Sequence, residues 1–263
     1  MKINKNSYIF SIVFTFIATF VLVLPLTLAY TATKPIADNY WRLQHYIKTL
    51  RSLGLPSSAA QVQEAQKSFE SLEKYQVIPA SVAAQDSQDY SVVQANVTGD
   101  LAQAARAGLT GPFDLVQIKN VKVIFQALQD SSATGNLPTF FYITNTNGQK
   151  RYAGNFTGPG LWGNVTLAVG VNQDSSQIEG VQVLYNVETP GLGGRINEKG
   201  FQAQFANLTP INGQVEFNPN GQKKPDGFDA ITGATITSTA VKDIINNRAL
   251  PELKAFIAQM GGM

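Results

Sequence analysis

Hydrophobic and polar positions divide the chain into three regimes. From Tyr8 to Tyr30 it reads YIFSIVFTFIATFVLVLPLTLAY, with no charged residue. As a helix this run extends roughly 34 Å at about 1.5 Å per residue, slightly more than a hydrocarbon core of about 30 Å. It outlasts the apolar region of a signal peptide, which is about 7–15 residues, and Ala29-Tyr30-Thr31-Ala32 makes a poor cleavage site. A retained anchor over 8–30 is therefore expected, with Pro25 tolerated near its far end. Lys2 and Lys5 flank the short side. Residues 1–7 are accordingly expected in the cytoplasm and the chain after the anchor outside it.

The second regime, 31–136, is expected to be helical and mixed. Tyr40, Leu43, Ile47 and Leu50 recur at helical spacing and predict a helix over 36–53, ended by Gly54-Leu55-Pro56-Ser57. Ser57 or Ser58 is placed to cap a second helix running to about Tyr75, with Val62, Ala65, Phe69 and Leu72 on one face. Residues 76–136 read as mixed strand and loop, with a possible helix around 99–107, and their apolar stripes read as core.

The pattern changes near residue 137. Phe140 to Thr144 is β-rich and leads into the turn signal Asn147-Gly148. Asn164–Val171 and Ile178–Tyr185 are strand-like and joined by Asn172 to Ser176, a natural hairpin loop. Residues 137–187 thus predict a small antiparallel sheet. Helices are expected at 198–206 and 239–260, the latter broken at Pro251. The expected fold is α+β: an N-terminal transmembrane helix, a helical and mixed insert, then a small antiparallel-sheet domain over 137–263 with a C-terminal helix.

Composition removes several kinds of chemistry. The chain has no cysteine, so disulfides, thiolate metal sites, iron–sulfur clusters and thiol nucleophiles are excluded. Its single histidine, His45, rules out a multi-histidine metal site and reads as a partly exposed helix residue. Apart from Lys2 and Lys5, 18 basic residues balance 18 acidic ones. Nothing suggests the basic stripe of a nucleic-acid binder.

Three clusters carry candidate chemistry: Gly158-Pro159-Gly160-Leu161-Trp162-Gly163, Glu188-Thr189-Pro190-Gly191-Leu192-Gly193-Gly194-Arg195, and Asp229 to Thr239, which reads DAITGATITST. The third packs hydroxyls just before a helical pattern with Val241, Ile244 and Ile245, where free N–H groups and the helix dipole suit a phosphate. The plainer reading is that Ser238 or Thr239 caps that helix. The second cluster lets backbone amides approach a ligand closely; alone it is equally a Pro-Gly turn. The first places a Trp in a Gly-rich loop, or simply buries an aromatic under a turn.

As an ordered set, these clusters resemble the FMN-binding subunits of two redox complexes: the C subunit of the sodium-translocating NADH:quinone reductase and the G subunit of the Rnf electron-transport complex. The likeness spans roughly residues 150–247 and the anchor. Gly160-Leu161-Trp162 is closer to the quinone-reductase protein, and Phe228 to Thr235 closer to the Rnf protein. The resemblance implies FMN attached to Thr235 by a phosphoester. It implies a separate flavin transferase, which takes FMN from FAD and needs Asp229. It implies a pocket lined by Glu188, Thr189, Leu192, Gly193 and Thr237, with Thr232, Gly233, Ala234 and Ile236 of the attachment segment, and Leu161 and Trp162 against the isoalloxazine. Asn186 departs from the His or Gly-type residues of many relatives, which bears on polar tuning there and not on attachment.

The implied protein is an electron-carrier subunit among other membrane subunits, in a bacterial or archaeal cell membrane, with the FMN-binding domain (137–263) extracytoplasmic. It has no metal, no nucleic-acid partner and no catalytic residue for a substrate of its own. Two other readings stay open: a stand-alone anchored flavinylated electron carrier, and a non-redox anchored binding domain.

Overall fold

The computed structural model describes residues 8–55, 62–79, 89–93, 113–132, 137–219 and 222–261. The expected helix at 99–107 lies outside these. The chain divides into two units, residues 1–43 and 44–263.

Helix α1 (Tyr8–Ser52) provides the first unit and enters the second. It merges the expected anchor and the expected helix at 36–53 into one element. It contains an 18-residue window of mean hydropathy 2.6, none of it buried, and is long and apolar enough to cross a membrane. The hydroxyls of Thr15 and Thr27 donate to the carbonyls of Ser11 and Val23, four residues back. These two polar side chains are thereby satisfied within the helix. Pro25 and Pro35 lie inside α1 without ending it.

The second unit is built on one antiparallel sheet. Its strands are β1 (Glu73–Pro79), β2 (Tyr90–Val93), β3 (Phe113–Ile118), β4 (Phe140–Thr146), β5 (Gln149–Pro159), β6 (Asn164–Val171) and β7 (Ile178–Tyr185), in the order β2-β3-β1-β4-β5-β6-β7. The sheet is thus larger than the 137–187 pattern predicts. β1 lies beside β4 and carries the sheet across residue 137, with Tyr75 opposite Phe141. Asn147 and Gly148 both take positive φ, the backbone that a two-residue hairpin between β4 and β5 requires.

β4 shows why Phe140 to Ile143 is apolar at every position. Successive side chains point to opposite faces, and both faces are covered. Phe141 stacks on Phe256 of α6 (Leu250–Gly261), with ring centroids 4.4 Å apart. Tyr142 meets Phe69 of α2 (Val62–Glu70) and His45 of α1. Phe125 of α3 (Val121–Ser132) completes that aromatic cluster. The end of α1 lies directly on β6 and β7 at the register pair Gly170–Gly180. A Cβ on Gly170 would sit 2.0 Å from the Ser52 carbonyl oxygen, so no larger residue is accommodated there without moving the helix.

Three expectations change here. The second helix ends at Glu70, not near Tyr75. Lys74 donates its ammonium to the carbonyls of Glu70 and Leu72, closing that helix so that β1 can begin. Residues 121–132 form α3, where mixed strand and loop was expected. His45, expected to be partly exposed, is buried, with Nε2 3.2 Å from Tyr142 Oη.

Toward the C-terminus, α4 (Lys199–Gln202) is flanked by 3₁₀ turns at Gly193–Asn197 and Ala203–Phe205. β8 (Glu216–Phe217) and β9 (Gly227–Phe228) pair in parallel. α5 (Thr235–Ile244) begins four residues before the expected start. It passes through a π turn, Ile245–Ala249, into α6. Pro251 therefore does not break the helix. The wider turn just before it accommodates the missing N–H and the ring.

Burial, reinforced by Lys48, lowers the His45 pKa from 6.5 to about 4. A histidine kept neutral in the fold but free to charge in the unfolded chain lends stability above pH 6.5, and that stability is lost as pH falls toward 4. Full loss corresponds to about 3 kcal/mol. Chemical denaturation at pH 7 and pH 4.5 is expected to show an acid loss in the wild type that shrinks in His45→Phe. An equal loss in both would assign it to other groups.

Candidate functional site

Topology brings the three clusters to one end of the sheet. β5 and β7 both pair antiparallel with β6, at Pro159–Asn164 and Thr166–Tyr185. The β5–β6 loop and the segment leaving β7 therefore emerge side by side. The loop closes tightly, with the Gly160 N–H donating to the Gly163 carbonyl at 2.7 Å. α5 is fastened nearby: the Arg248 guanidinium donates to the Thr157 carbonyl of β5 at 3.0 Å.

Glu188 joins the three segments. Its Oε1 accepts the N–H groups of Leu161 at 2.8 Å and Trp162 at 3.1 Å. Its Oε2 accepts the Thr237 hydroxyl of α5 at 2.6 Å. The residue is 5% exposed, so these charge-assisted bonds replace the water it has lost. Asn186 Oδ1 accepts the Glu188 N–H at 3.1 Å and shapes the approach to it. Two glycines make room. A Cβ on Gly160 would lie 2.5 Å from Glu188 Oε1, and one on Gly193 would lie 2.5 Å from Thr237 Oγ1 and 2.7 Å from Glu188 Oε2.

The first turn of α5 is open. Its N-cap is Ala234, which provides no side-chain hydrogen bond. The expected cap residue Ser238 lies inside the helix instead. Its hydroxyl accepts the Ile231 N–H and donates to the Ala234 carbonyl, both at 3.0 Å. Ser238 so staples the preceding loop and leaves the first-turn amides uncapped.

Between these parts lies a cavity of about 330 Å³, at the low end of the roughly 300–1,000 Å³ of small-molecule sites. It is lined by Leu161, Trp162, Glu188, Thr189, Leu192 and Gly193, and by the run Gly233 to Thr237, which includes Ala234, Thr235 and Ile236. Leu161 is 48% exposed, Leu192 51%, Ile236 61% and Trp162 69%. Large apolar side chains left this open around one cleft suit a flat apolar ligand. A phosphate finds the amides and positive dipole end of α5 beside the Thr235 hydroxyl. The cavity thus suits a ring with a phosphate tail.

Two residues singled out from sequence lie apart from this lining: Thr232 and Asp229, both exposed. Asp229 is nonetheless held from two sides. Its N–H donates to Gln204 Oε1 at 2.7 Å, and its Oδ1 accepts the Asn218 amide at 2.8 Å. Sequence reading missed Gln204, Asn218 and the Ser238 staple. Gln204 and Asn218 sit 25 and 11 residues before Asp229, and no local pattern links them to it.

Fold and site together define an α+β domain with an apolar cleft at a helix N-terminus. Residues 160–249 match the family model of the FMN-binding domain. It is 41% identical over 88 residues to the G subunit of the ion-translocating oxidoreductase complex of Methanosarcina acetivorans, a match covering 34% of this chain and 44% of that protein. It is 33% identical over 90 residues to the C subunit of the Na(+)-translocating NADH-quinone reductase of Neisseria meningitidis, covering 32% and 35%. The chain thus spans less than half the length of each of these relatives. The crystal structure of the corresponding C subunit from Parabacteroides distasonis superposes with a TM-score of 0.52 at 20% identity, over 83% of this chain and 94% of that one. That likeness establishes a shared fold.

Gly193→Ala pushes a methyl group between Glu188 and Thr237. It is expected to lower stability by about 1–3 kcal/mol, the usual cost of overpacking, and to open the cleft. Urea unfolding checks the first effect. Unchanged stability would show that the Glu188–Thr237 contact yields without cost.

Proposed function

We propose that this chain is a membrane-anchored electron carrier that holds FMN covalently on Thr235, as a subunit of an ion-translocating oxidoreductase of the NADH:quinone reductase or Rnf type. The convergence of three separate clusters on one cleft, with the Thr235 hydroxyl at an uncapped helix N-terminus, carries this reading. The relatives' names, which denote subunits of redox complexes, support it.

When bound, FMN takes up and releases electrons; the protein holds and positions it. Leu161, Trp162, Leu192 and Ile236 provide the apolar walls for the ring, with Thr189, Gly193, Gly233 and Ala234 completing the cleft. Thr232 precedes it in the attachment segment. Attachment joins Thr235 Oγ to the FMN phosphorus, breaks the pyrophosphate bond of FAD and releases AMP, which takes the phosphate oxygen; a transferase removes the Thr235 proton. Asp229, exposed and fixed by Gln204 and Asn218, is available for that enzyme to read. The apolar run of α1 serves as the membrane anchor, N-terminus inside, with the FMN domain outside the cytoplasm. Neighbouring membrane subunits are the electron partners.

Chain made together with its transferase is expected to gain the mass of one FMN less water, with flavin fluorescence surviving denaturing electrophoresis. Thr235→Val must lose both, because it has no oxygen nucleophile. A Thr235→Val chain that still carries bound flavin would sink the acceptor assignment.

Asp229→Ala is expected to reduce loading strongly while leaving thermal stability nearly unchanged. Wild-type loading in this variant would make Asp229 a turn residue. For the topology, a reporter fused after Met263 should be active only outside the cytoplasm, and activity confined to the cytoplasm would reverse the orientation.

A further inference from the structure

Glu188 carries more than the shape of the cleft. Its carboxylate is buried, lines the cavity and is met by neutral donors: two backbone N–H groups and one hydroxyl. Among the described residues no ion pair involves it, and no lining residue is cationic. The geometry of these bonds does not itself demand a charge. A glutamine of the same shape would accept both amides at its oxygen and offer its NH₂ to the Thr237 oxygen, which can turn its proton away. A buried charge is costly where a neutral isostere fits. The charge therefore calls for a purpose beyond the hydrogen bonds.

We propose that Glu188 holds the redox potential of the bound flavin low by placing a fixed negative charge against the cleft. The proposal rests on the FMN reading above. An electron arriving from an outside donor adds negative charge to the ring. Glu188 opposes that addition, more strongly from its buried position than it would in water, because little solvent reaches the carboxylate to screen it. Glu188 also positions the ring through Leu161 and Trp162, so charge and clamp must be separated experimentally.

Three variants separate them: Glu188→Gln keeps the clamp and removes the charge, Thr237→Val keeps the charge and removes one clamp bond, and Glu188→Asp keeps the charge and loosens the clamp. Each full-length chain, co-produced with its flavin transferase and purified in detergent, is titrated at an electrode while its flavin absorbance is followed. Glu188→Gln is expected to shift the midpoint to more positive potential, beyond the spread of replicate titrations. Thr237→Val and Glu188→Asp, which keep the charge, are expected to move the midpoint less than Glu188→Gln does. A wild-type midpoint in loaded Glu188→Gln overturns the proposal. So does an upward shift in Glu188→Asp or Thr237→Val as large as that in Glu188→Gln, which would assign the effect to the clamp. Should Glu188→Gln fail to load, Thr189→Lys takes its place by setting a positive charge on the cleft lining; its midpoint is expected to rise, and a wild-type midpoint overturns the proposal. Wild-type chain carrying no FMN by mass would overturn the FMN reading itself, an outcome distinct from the others.

Discussion

One carboxylate holds the site together. Glu188 accepts donors from residues 26 and 27 positions before it and 49 positions after it. Removing it would leave two backbone amides in a partly buried site and one hydroxyl in a buried one without their acceptor. Each such orphan costs about 1–3 kcal/mol. The Trp162 loop, the Gly-rich turn and the start of α5 are therefore fixed relative to one another by a single side chain. Its reach is short enough that Gly160 and Gly193 are required beside it. The cleft is shaped before any ligand enters.

The sheet makes that meeting possible. With β6 running opposite to both β5 and β7, the end of β5 and the end of β7 must lie at the same edge, whatever the loops contain. The second requirement is that α5 be pinned at its far end. Gly158 lets Ile244 press onto β5, and Arg248 reaches the Thr157 carbonyl. The helix start is thus placed by contacts at its far end, and the loop before it is stapled by Ser238. The cover on the opposite face, from α1, α2 and α3, keeps β4 and its neighbours in a closed core. It touches the site only through the rigidity of the sheet.

Much of this was legible in the residues. The three clusters are read by residue type and order, and those survive any error in element boundaries. The hairpins were legible because Asn147-Gly148 and the Asn172–Ser176 loop are turn chemistry written locally. What was missed depended on distant partners. Leu72 and Tyr75 continue the helical spacing of Ala65 and Phe69, yet the chain turns into β1 because Lys74 satisfies the carbonyls that end α2 and a strand partner waits at Phe141. His45 reads as a helix-surface residue until Phe69, Phe125 and Tyr142 close around it from three other elements. The start of α5 was placed too late because Ser238 and Thr239 look like caps. Only the fold shows that Ser238 spends its hydroxyl on the Ile231 amide.

That misplaced cap is informative about the site. An alanine at the N-cap gives up about 1 kcal/mol relative to Ser, Thr, Asp or Asn. Ser238 is nearby but is used elsewhere, so the first-turn amides face the cleft without a side-chain acceptor. With no Lys or Arg among the lining residues, these amides and the helix dipole are the positive elements available to a phosphate there. Such a grip is modest, about 0.3–1 kcal/mol for the dipole at an exposed helix end, and Glu188 adds negative charge to the same cleft. A phosphate held only by these forces would leave readily. The proposed bond from Thr235 Oγ would remove the dependence on electrostatic affinity, and would allow the cleft to keep a buried anion beside a negatively charged ligand.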